Sequence, residues 1–432
     1  MDLSASPSAR RYAWVFLVII CLLHFFLAIF YARVTPYRQA GFTQGKWLLD
    51  IGAPDERAHA NLVEKMLRGE PYPVLEKDDP SLSENYQAHQ PPLYYVTTAA
   101  WLRLTGFSTI TSQDGGRAAR LLNCLIGTWA TLGVFVLVTS MGRRVRTALT
   151  ASLVFGLVPM NLALSGSVNN DSLLICFCTW SLAFLFRAKH RGWRLAEGVC
   201  CAVLIGLACL TKSTGLLLLP TALVYCLLHV KANENRLKVM SLLTVVIVPV
   251  LIVSPWWLRN TQVYGEPLVT ERFSQTFRPD FGESRFRSRL STYLWARQLG
   301  EYTVESATGV FGYFDIHYRN LKVPAVLAWV VLIMATIGAL AAWWAGYQRE
   351  VVAGLIFFGL VLAAYIKFNT IYAQPQARYL FPGLGVIAWL VAEGLGKFHP
   401  RIIGLWLLVY LPLNVTTLGM LQNEYGRRIN GP

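Results

Sequence analysis

The sequence predicts an all-α polytopic membrane protein, and three observations carry that prediction. Of 432 residues, 54% are hydrophobic and only 15% charged, with a mean hydropathy of +0.43, which is not the composition of a soluble globule. The apolar residues gather into runs long enough to cross about 30 Å of hydrocarbon. The basic residues gather into short linkers between those runs: Arg10-Arg11, Arg143-Arg144-Arg146, Arg187 to Arg194, Lys231 to Lys238 and Lys397 to Arg401.

The first run, about Tyr12 to Tyr31, follows two arginines and is longer than the apolar core of a secretory signal, so it reads as an uncleaved anchor. Further spans are expected near 119–140, 147–165, 172–187, 195–211, 213–230, 239–257, 323–345, 351–369, 378–396 and 402–421, giving about eleven transmembrane helices in a single domain, 1–432. With the N-terminus cytoplasmic, every basic cluster falls inside, while Ser165 to Asp171 and Thr370 to Ala377 fall outside without a basic residue, as the positive-inside rule requires. Leu93 to Leu104 is apolar but too short to cross, and a crossing there would invert every later loop. It is expected to be a juxtamembrane or re-entrant helix, turned back by Pro91-Pro92. Two large extracytoplasmic segments remain, about 32–118 with its juxtamembrane helices and 258–322 with the mixed charges Arg272, Arg278, Asp280, Glu283, Arg285, Arg287 and Arg289.

The net charge of +15 is what inner-loop lysines and arginines contribute to a multi-span chain, so it is a topology signal and not a sign of nucleic-acid binding. All eight cysteines fall inside expected spans, where they read as small packing residues, not disulfides or metal ligands.

Once the inner loops set the topology, the unusual polar residues all emerge at outer span ends. Pro54-Asp55-Glu56-Arg57-Ala58-His59 opens a surface helix expected from about Pro54 to Arg68, with Gly69 as its stop and with Ala58, Leu62, Val63, Met66 and Leu67 forming an apolar stripe. Asp55 and Glu56 would complement the helix dipole or do chemistry. Asp171 closes the hairpin Ser167-Val168-Asn169-Asn170-Asp171 and is expected either to cap the next helix or to orient an acceptor or a divalent metal with Asp55 or Glu56. Lys212, Arg259 and Arg378 would form a cationic ring suited to a phosphate headgroup, unless Lys212 merely snorkels. Glu393 is expected to pair with Lys397, and Glu197 with the neighbouring arginine-rich loop. A divalent metal on Glu56 and His59, with His89, is the one cofactor these residues suggest, although no HExxH-like spacing supports it.

Four stretches, Pro54-Asp55-Glu56, Ala88-His89-Gln90-Pro91-Pro92-Leu93-Tyr94-Tyr95, Asn169-Asn170-Asp171 and Ala377-Arg378-Tyr379-Leu380-Phe381-Pro382, resemble the GT-C class of membrane glycosyltransferases. The likeness is to the branch of the protein O-mannosyltransferases and the lipid A aminoarabinose transferase. It implies an enzyme that moves a sugar from a polyprenyl-phosphate carrier to an acceptor hydroxyl of a glycan, lipid or protein, with inversion, on the extracytoplasmic face of a bacterial-type inner membrane. Asp55 matches the catalytic carboxylate of the first outer loop and Asp171 a second acidic position. The candidate catalytic set is thus Asp55, Glu56 and Asp171. Candidates for holding substrate or lipid phosphate are His59, His89, Gln90, Tyr94, Asn170, Lys212, Arg259, Arg378 and Tyr379. A transporter or flippase, or a non-catalytic envelope-assembly protein, is the alternative. The chain is shorter than the O-mannosyltransferases and shows no soluble C-terminal domain, which leaves the acceptor open.

Overall fold

A computed structural model describes residues 7–191, 195–229, 235–281, 291–318, 322–398 and 402–431. The loop charges Arg194, Lys231, Glu283, Arg285, Arg287, Arg289 and Arg401 lie outside the described residues.

Each expected apolar run is helical, but not as eleven unbroken spans. Among the described residues, six helices are long and apolar enough to cross a membrane: Pro7–Val34, Gln113–Ser140, Asn235–Tyr264, Lys322–Trp344, Gln348–Ile371 and Ile402–Asn430. A seventh span results if Val145–Gly156 and Pro159–Ser165, bent by 71°, are taken together. Of the remaining runs, 172–187 lies in the unbroken 21-residue helix Asp171–Arg191, and the others are shorter or broken. Leu195–Thr211 has 17 residues, Ser213–Leu217 is a 3-10 turn before Leu218–His229, and Ala377–Gly383 is a 3-10 turn before Leu384–Leu395. The breaks fall where the sequence carries Pro159, Gly215 and Pro382, which lack an N–H or a side chain. A Cβ on Gly215 would lie 2.5 Å from the Ala208 carbonyl carbon, so only glycine lets the chain turn back there.

A broken helix inside a membrane must satisfy the carbonyls it frees. At the 157–158 break three of these carbonyls have a side-chain donor. Asn161 Nδ2 donates to Phe155 O at 3.2 Å, His24 Nδ1 to Gly156 O at 2.9 Å and Asn414 Nδ2 to Leu157 O at 3.0 Å. Tyr31 OH in turn donates to Asn414 Oδ1 at 2.8 Å. The first helix and the last therefore fix the bend, and with it the short Pro159–Ser165 helix and the hairpin that follows.

Lys322–Trp344 and Leu384–Leu395 pack backbone to backbone. A Cβ on Gly338 would lie 1.7 Å from Leu390 O, and one on Gly394 2.0 Å from Met334 O. Small residues at such crossings are what drives helix association in lipid. At the end opposite the site, Arg143 pairs with Glu393, which also accepts from Trp389 Nε1 at 3.2 Å. This corrects the expected Glu393–Lys397 pair: a guanidinium from the turn between Gln113–Ser140 and Val145–Gly156 takes the buried carboxylate instead. Glu197 does pair with Arg187, at 3.2 Å.

The segment between the first two long helices holds short helices, as expected, together with a small antiparallel hairpin, Gly41–Thr43 with Lys46–Leu48. Leu93–Leu104 is a 12-residue helix that stays beside Glu56–Leu67. Arg103 Nη2 donates to the last carbonyls of the latter, Met66 O at 3.1 Å and Leu67 O at 2.8 Å.

Replacing Gly394 with leucine should lower the thermal unfolding midpoint in detergent by the equivalent of at least about 1–3 kcal/mol, the usual cost of overpacking. An unchanged midpoint would mean that this crossing carries no stability.

Candidate active site

The surface helix does not begin at Pro54. Pro54 and Asp55 form a turn and the helix runs Glu56–Leu67, with Asp55 at φ 66°, ψ −12° in the left-handed region. The reason for the difference is local. A non-glycine residue rarely adopts that conformation, and here it sends two adjacent carboxylates in opposite directions. The other end is as expected: Gly69, at φ +70°, closes the helix, with Gly69 N–H to Met66 O at 3.3 Å and Glu70 N–H to Lys65 O at 3.0 Å.

Glu56 turns inward. Both its oxygens are taken by Arg120, at 2.8 and 2.5 Å, and Oε1 also accepts the Val168 N–H at 2.7 Å. Arg120 spends its other donors on Ala32 O and Thr35 O, each at 2.7 Å, and Pro36 O at 2.9 Å. Glu56 is 2% exposed and directed at Arg120 and Val168, away from the site, so it holds segments together and does not act as the catalyst or metal ligand expected from the sequence. Arg120 escaped the sequence reading, although an arginine near the start of an apolar run is a signal that could have found it.

Asp55 turns outward, with its side chain 29% exposed. Tyr86 OH donates to Oδ1 at 2.8 Å and Arg378 Nη2 to Oδ2 at 2.5 Å. Burial alone would raise the Asp55 carboxyl, but Arg378 and the Tyr86 hydroxyl outweigh it and bring it down to about 2. Arg378 stands 5.2 Å from the centre of the Tyr379 ring, and Lys212 Nζ lies 5.5 Å over the same ring. Lys212 in turn contacts Asp171 Oδ1 at 2.5 Å. Residues from four distant parts of the chain thus form one series, Asp55–Arg378–Tyr379–Lys212–Asp171.

Asp171 is the first residue of the helix Asp171–Arg191, but its carboxylate does not cap it. Asn169 Oδ1 accepts the Ser172 N–H at 3.1 Å, leaving Asp171 for Lys212. Lys212 therefore does not simply snorkel to water. Beside it runs a neutral relay. His89 Nδ1–H donates to Tyr86 O at 2.8 Å, Gln90 Nε2 meets His89 Nε2 at 2.9 Å, and Asn170 Nδ2 donates to Gln90 Oε1 at 3.1 Å and to Thr211 O at 3.2 Å. The backbone acceptor requires a proton on Nδ1, so Nε2 accepts from the amide and the ring is neutral. His59 is buried, stacked on Tyr95 with centroids 5.8 Å apart, and bonded to Tyr95 OH at 2.9 Å.

Two candidates fall elsewhere. Tyr94 is fully buried and donates to Asn123 Oδ1 at 3.0 Å. Asn123 Nδ2 then holds the hairpin carbonyls of Ser167 and Asn169, so Tyr94 supports the site from within the core and does not line it. Arg259 does not join the cationic ring. Its guanidinium lies 5.1 to 5.5 Å from the ring centres of Trp256, Tyr264 and Tyr72 and donates to Tyr72 O and Pro73 O at 3.2 and 2.9 Å. The aromatic residues packed around it compete with any more distant partner. Among the described residues, no group of three or more His, Cys, Asp or Glu side chains could hold a metal. The Glu56–His59 pairing does not form, since Arg120 occupies the first and Tyr95 the second.

Residues 89–258 match the model of a family described as dolichyl-phosphate-mannose-protein mannosyltransferase. Among solved structures, the chain is similar to the Archaeoglobus fulgidus oligosaccharyltransferase AglB in complex with an inhibitory peptide and a dolichol-phosphate (TM-score 0.60, 15% identity, covering 98% of this chain and 57% of that one). It is also similar to ArnT from Cupriavidus metallidurans bound to undecaprenyl phosphate (TM-score 0.54, 19% identity, 91% and 62%). A further AglB structure, a complex with Zn and sulfate, aligns with TM-score 0.55 at 15% identity over 93% and 53%. No curated protein matches the chain. The chain spans less than two thirds of the length of these solved structures. These likenesses show the fold: the chain has the multi-pass helical membrane architecture of the AglB and ArnT structures.

Two outcomes follow for stability. Glu56→Gln, which leaves Arg120 buried with half its partner, should destabilise by about 3–5 kcal/mol; a thermal midpoint within error of wild type would refute the anchoring role. His59 and His89 are both desolvated, which lowers each imidazole to about 4. Between that value and about 6.5 the unfolded chain binds protons that the folded one refuses, so stability should fall as pH drops from about 7 to about 4. His89→Gln should flatten that slope in a pH series of thermal melts, and an unaltered slope would count against it.

Proposed function

We propose that the protein is a glycosyltransferase that moves a sugar from a polyprenyl-phosphate donor to an acceptor hydroxyl. It would do so on the extracytoplasmic face of a bacterial-type inner membrane, with its N-terminus in the cytoplasm. The observation that carries this reading is the alternating series of two carboxylates and two cations around Tyr379. The match to a mannosyltransferase family model and the polyprenyl phosphates named with the AglB and ArnT structures support it.

In this mechanism the acceptor oxygen attacks the anomeric carbon and its proton passes to the Asp55 carboxylate. The bond between that carbon and the phosphate oxygen breaks, and the electron pair leaves with the polyprenyl phosphate. One displacement inverts the anomeric centre. Lys212 and Arg378 offset the charge of the departing phosphate, the first as a point charge and the second as a planar fork. Asp171 holds Lys212 in place, and Asn170 and Gln90 border the sugar. While Arg378 is in contact, Asp55 is ionised but a weak base. A donor phosphate that draws the guanidinium to itself removes that depression, so basicity rises when the donor is bound.

The residues present do not fit a divalent metal, because each site carboxylate is already paired with a cation. No step is routed through one. A transporter would place its polar groups near the bilayer midplane on broken helices, whereas this series gathers at helix ends.

Asp55→Asn should reduce sugar transfer at least roughly a hundredfold with folding and polyprenyl-phosphate binding retained. Radiolabelled transfer assays in vesicles separate the readings. Covalent transfer supports the enzyme, carrier movement without transfer a flippase, and neither an assembly protein. Near-normal turnover of Asp55→Asn would remove Asp55 from the role.

A further inference from the structure

The ionic series from Asp55 to Asp171 has a second, neutral arm. Tyr86 OH donates to Asp55 Oδ1 at 2.8 Å, and Tyr86 O accepts the His89 Nδ1–H at the same distance. From His89 the relay continues through Gln90 to Asn170, the chain neighbour of Asp171. The two arms close a ring of residues, and Tyr86 stands where the neutral arm meets the carboxylate.

Tyr86 is also held from the other side. It begins the 3-10 turn Tyr86–His89, in which Gln87 and Ala88 are buried, directly after the short helix Leu82–Asn85. Glu84 straps that helix to Glu56–Leu67, accepting from Arg57 Nε at 2.9 Å and from Asn61 Nδ2 at 2.7 Å. Arg38 Nη1 fixes Asn61 in turn, donating to its Oδ1 at 2.7 Å. Asp55 directly precedes Glu56–Leu67, so the tyrosine hydroxyl and the carboxylate are both referred to one rigid element.

The partner of this hydroxyl sets it apart from a structural strut. Tyr37, Tyr72 and Tyr94 donate to carbonyl oxygens of the backbone or of a side-chain amide, whereas Tyr86 donates to a carboxylate of the site. Asp55 occupies the N-cap position, yet its side chain makes no capping bond and is left for Tyr86 and Arg378. Burial and the Asp55 charge push the Tyr86 hydroxyl well above the ordinary tyrosine range, so it stays protonated and acts as a donor, not as a base.

We propose that Tyr86 is the positioning residue of the transfer step, an inference that rests on the transferase reading. When Arg378 turns to the donor phosphate, the Tyr86 hydroxyl is the hydrogen bond that Asp55 keeps. It clamps Oδ1, so that Oδ2, released by the guanidinium, faces the acceptor hydroxyl and takes its proton. Donation to the ionised form also keeps Asp55 deprotonated while the donor is bound. The titratable and charged groups that face Asp55 are Arg378, His59, His89, Tyr86 and Tyr313. Both histidines are neutral above about pH 4, and burial pushes the Tyr313 hydroxyl up. Arg378 and Tyr86 therefore govern the ionisation of Asp55 near neutral pH.

The test is Tyr86→Phe in the full-length protein, assayed in membrane vesicles of producing cells that lack the wild-type copy and supplied with radiolabelled polyprenyl-phosphate hexoses. At saturating donor the rate should fall about tenfold, because a carboxylate free to rotate is less often aligned with the acceptor. Donor KM and polyprenyl-phosphate binding should be unchanged. The acid limb of the pH profile should move up by about one unit, because the carboxylate loses a donor that favours its charged form. A ring-fluorinated tyrosine at position 86, a stronger donor of nearly the same shape, should move the limb down, and it serves if Tyr86→Phe fails to fold in thermal melts. Asp55→Asn combined with Tyr86→Phe should be no slower than Asp55→Asn alone, since the tyrosine acts through the carboxylate. A folded Tyr86→Phe whose acid limb coincides with that of wild type would overturn the assignment whatever its rate, as would losses that multiply in the double variant. Loss of polyprenyl-phosphate binding would give Tyr86 to the donor and overturn it too. A wild-type protein that transfers no label would instead refute the transferase reading itself, and this inference with it.

Discussion

The structure depends on one buried ion pair, Glu56 with Arg120. Their side chains are 3% and 4% exposed, and between them they take up both carboxylate oxygens, three carbonyls at the end of the first helix and one backbone N–H of the 167–171 hairpin. A pair so buried contributes little net stability, because desolvation offsets most of the Coulombic attraction. What it confers is exclusivity. Any other arrangement of these three segments would strand a charge in the protein interior, so the chain is held in the one geometry that places Asp55 beside Arg378.

From that anchor the rest of the site follows by local accounting of polar groups. The left-handed turn at Asp55 separates two neighbouring carboxylates, one given to structure and one to the site. The bend after Gly156 is held by His24, Asn161 and Asn414, and the hairpin after it by Asn123 and Asn169. Because Asn169 caps the helix, the Asp171 carboxylate is free for Lys212. The site's two carboxylates and two cations balance before any ligand arrives. On the proposed reading a phosphate would enter by exchanging partners with cations already desolvated and oriented, which would limit reorganisation during the reaction.

Much of this was legible in the residues. The alternation of basic linkers and apolar runs locates the helices, because charge and hydrocarbon sort by transfer free energy whatever the tertiary arrangement. The same sorting gathers Asp55, Asp171, Lys212 and Arg378 at one end, and the structure brings them into contact. The misreadings share a cause. Glu56, Tyr94 and Arg259 have the right chemistry at the right depth, yet each is claimed by a nearer partner: Arg120, Asn123, or the aromatic group around Arg259. Depth along a span is written in the order of residues, whereas the direction of a side chain about its helix depends on neighbours far away in sequence.

By itself, then, the sequence determined that this is a helical membrane protein, how its runs alternate with basic linkers, and which polar residues collect at one end, since each of these follows from local hydropathy and charge. Only the tertiary structure decided which carboxylate of the Asp55-Glu56 pair faces the site, which donors satisfy the broken helix, and that Arg378 and Lys212 share the face of Tyr379. Those outcomes are settled by competition among buried hydrogen-bond partners from separate helices, and such competition exists only once the chain is folded.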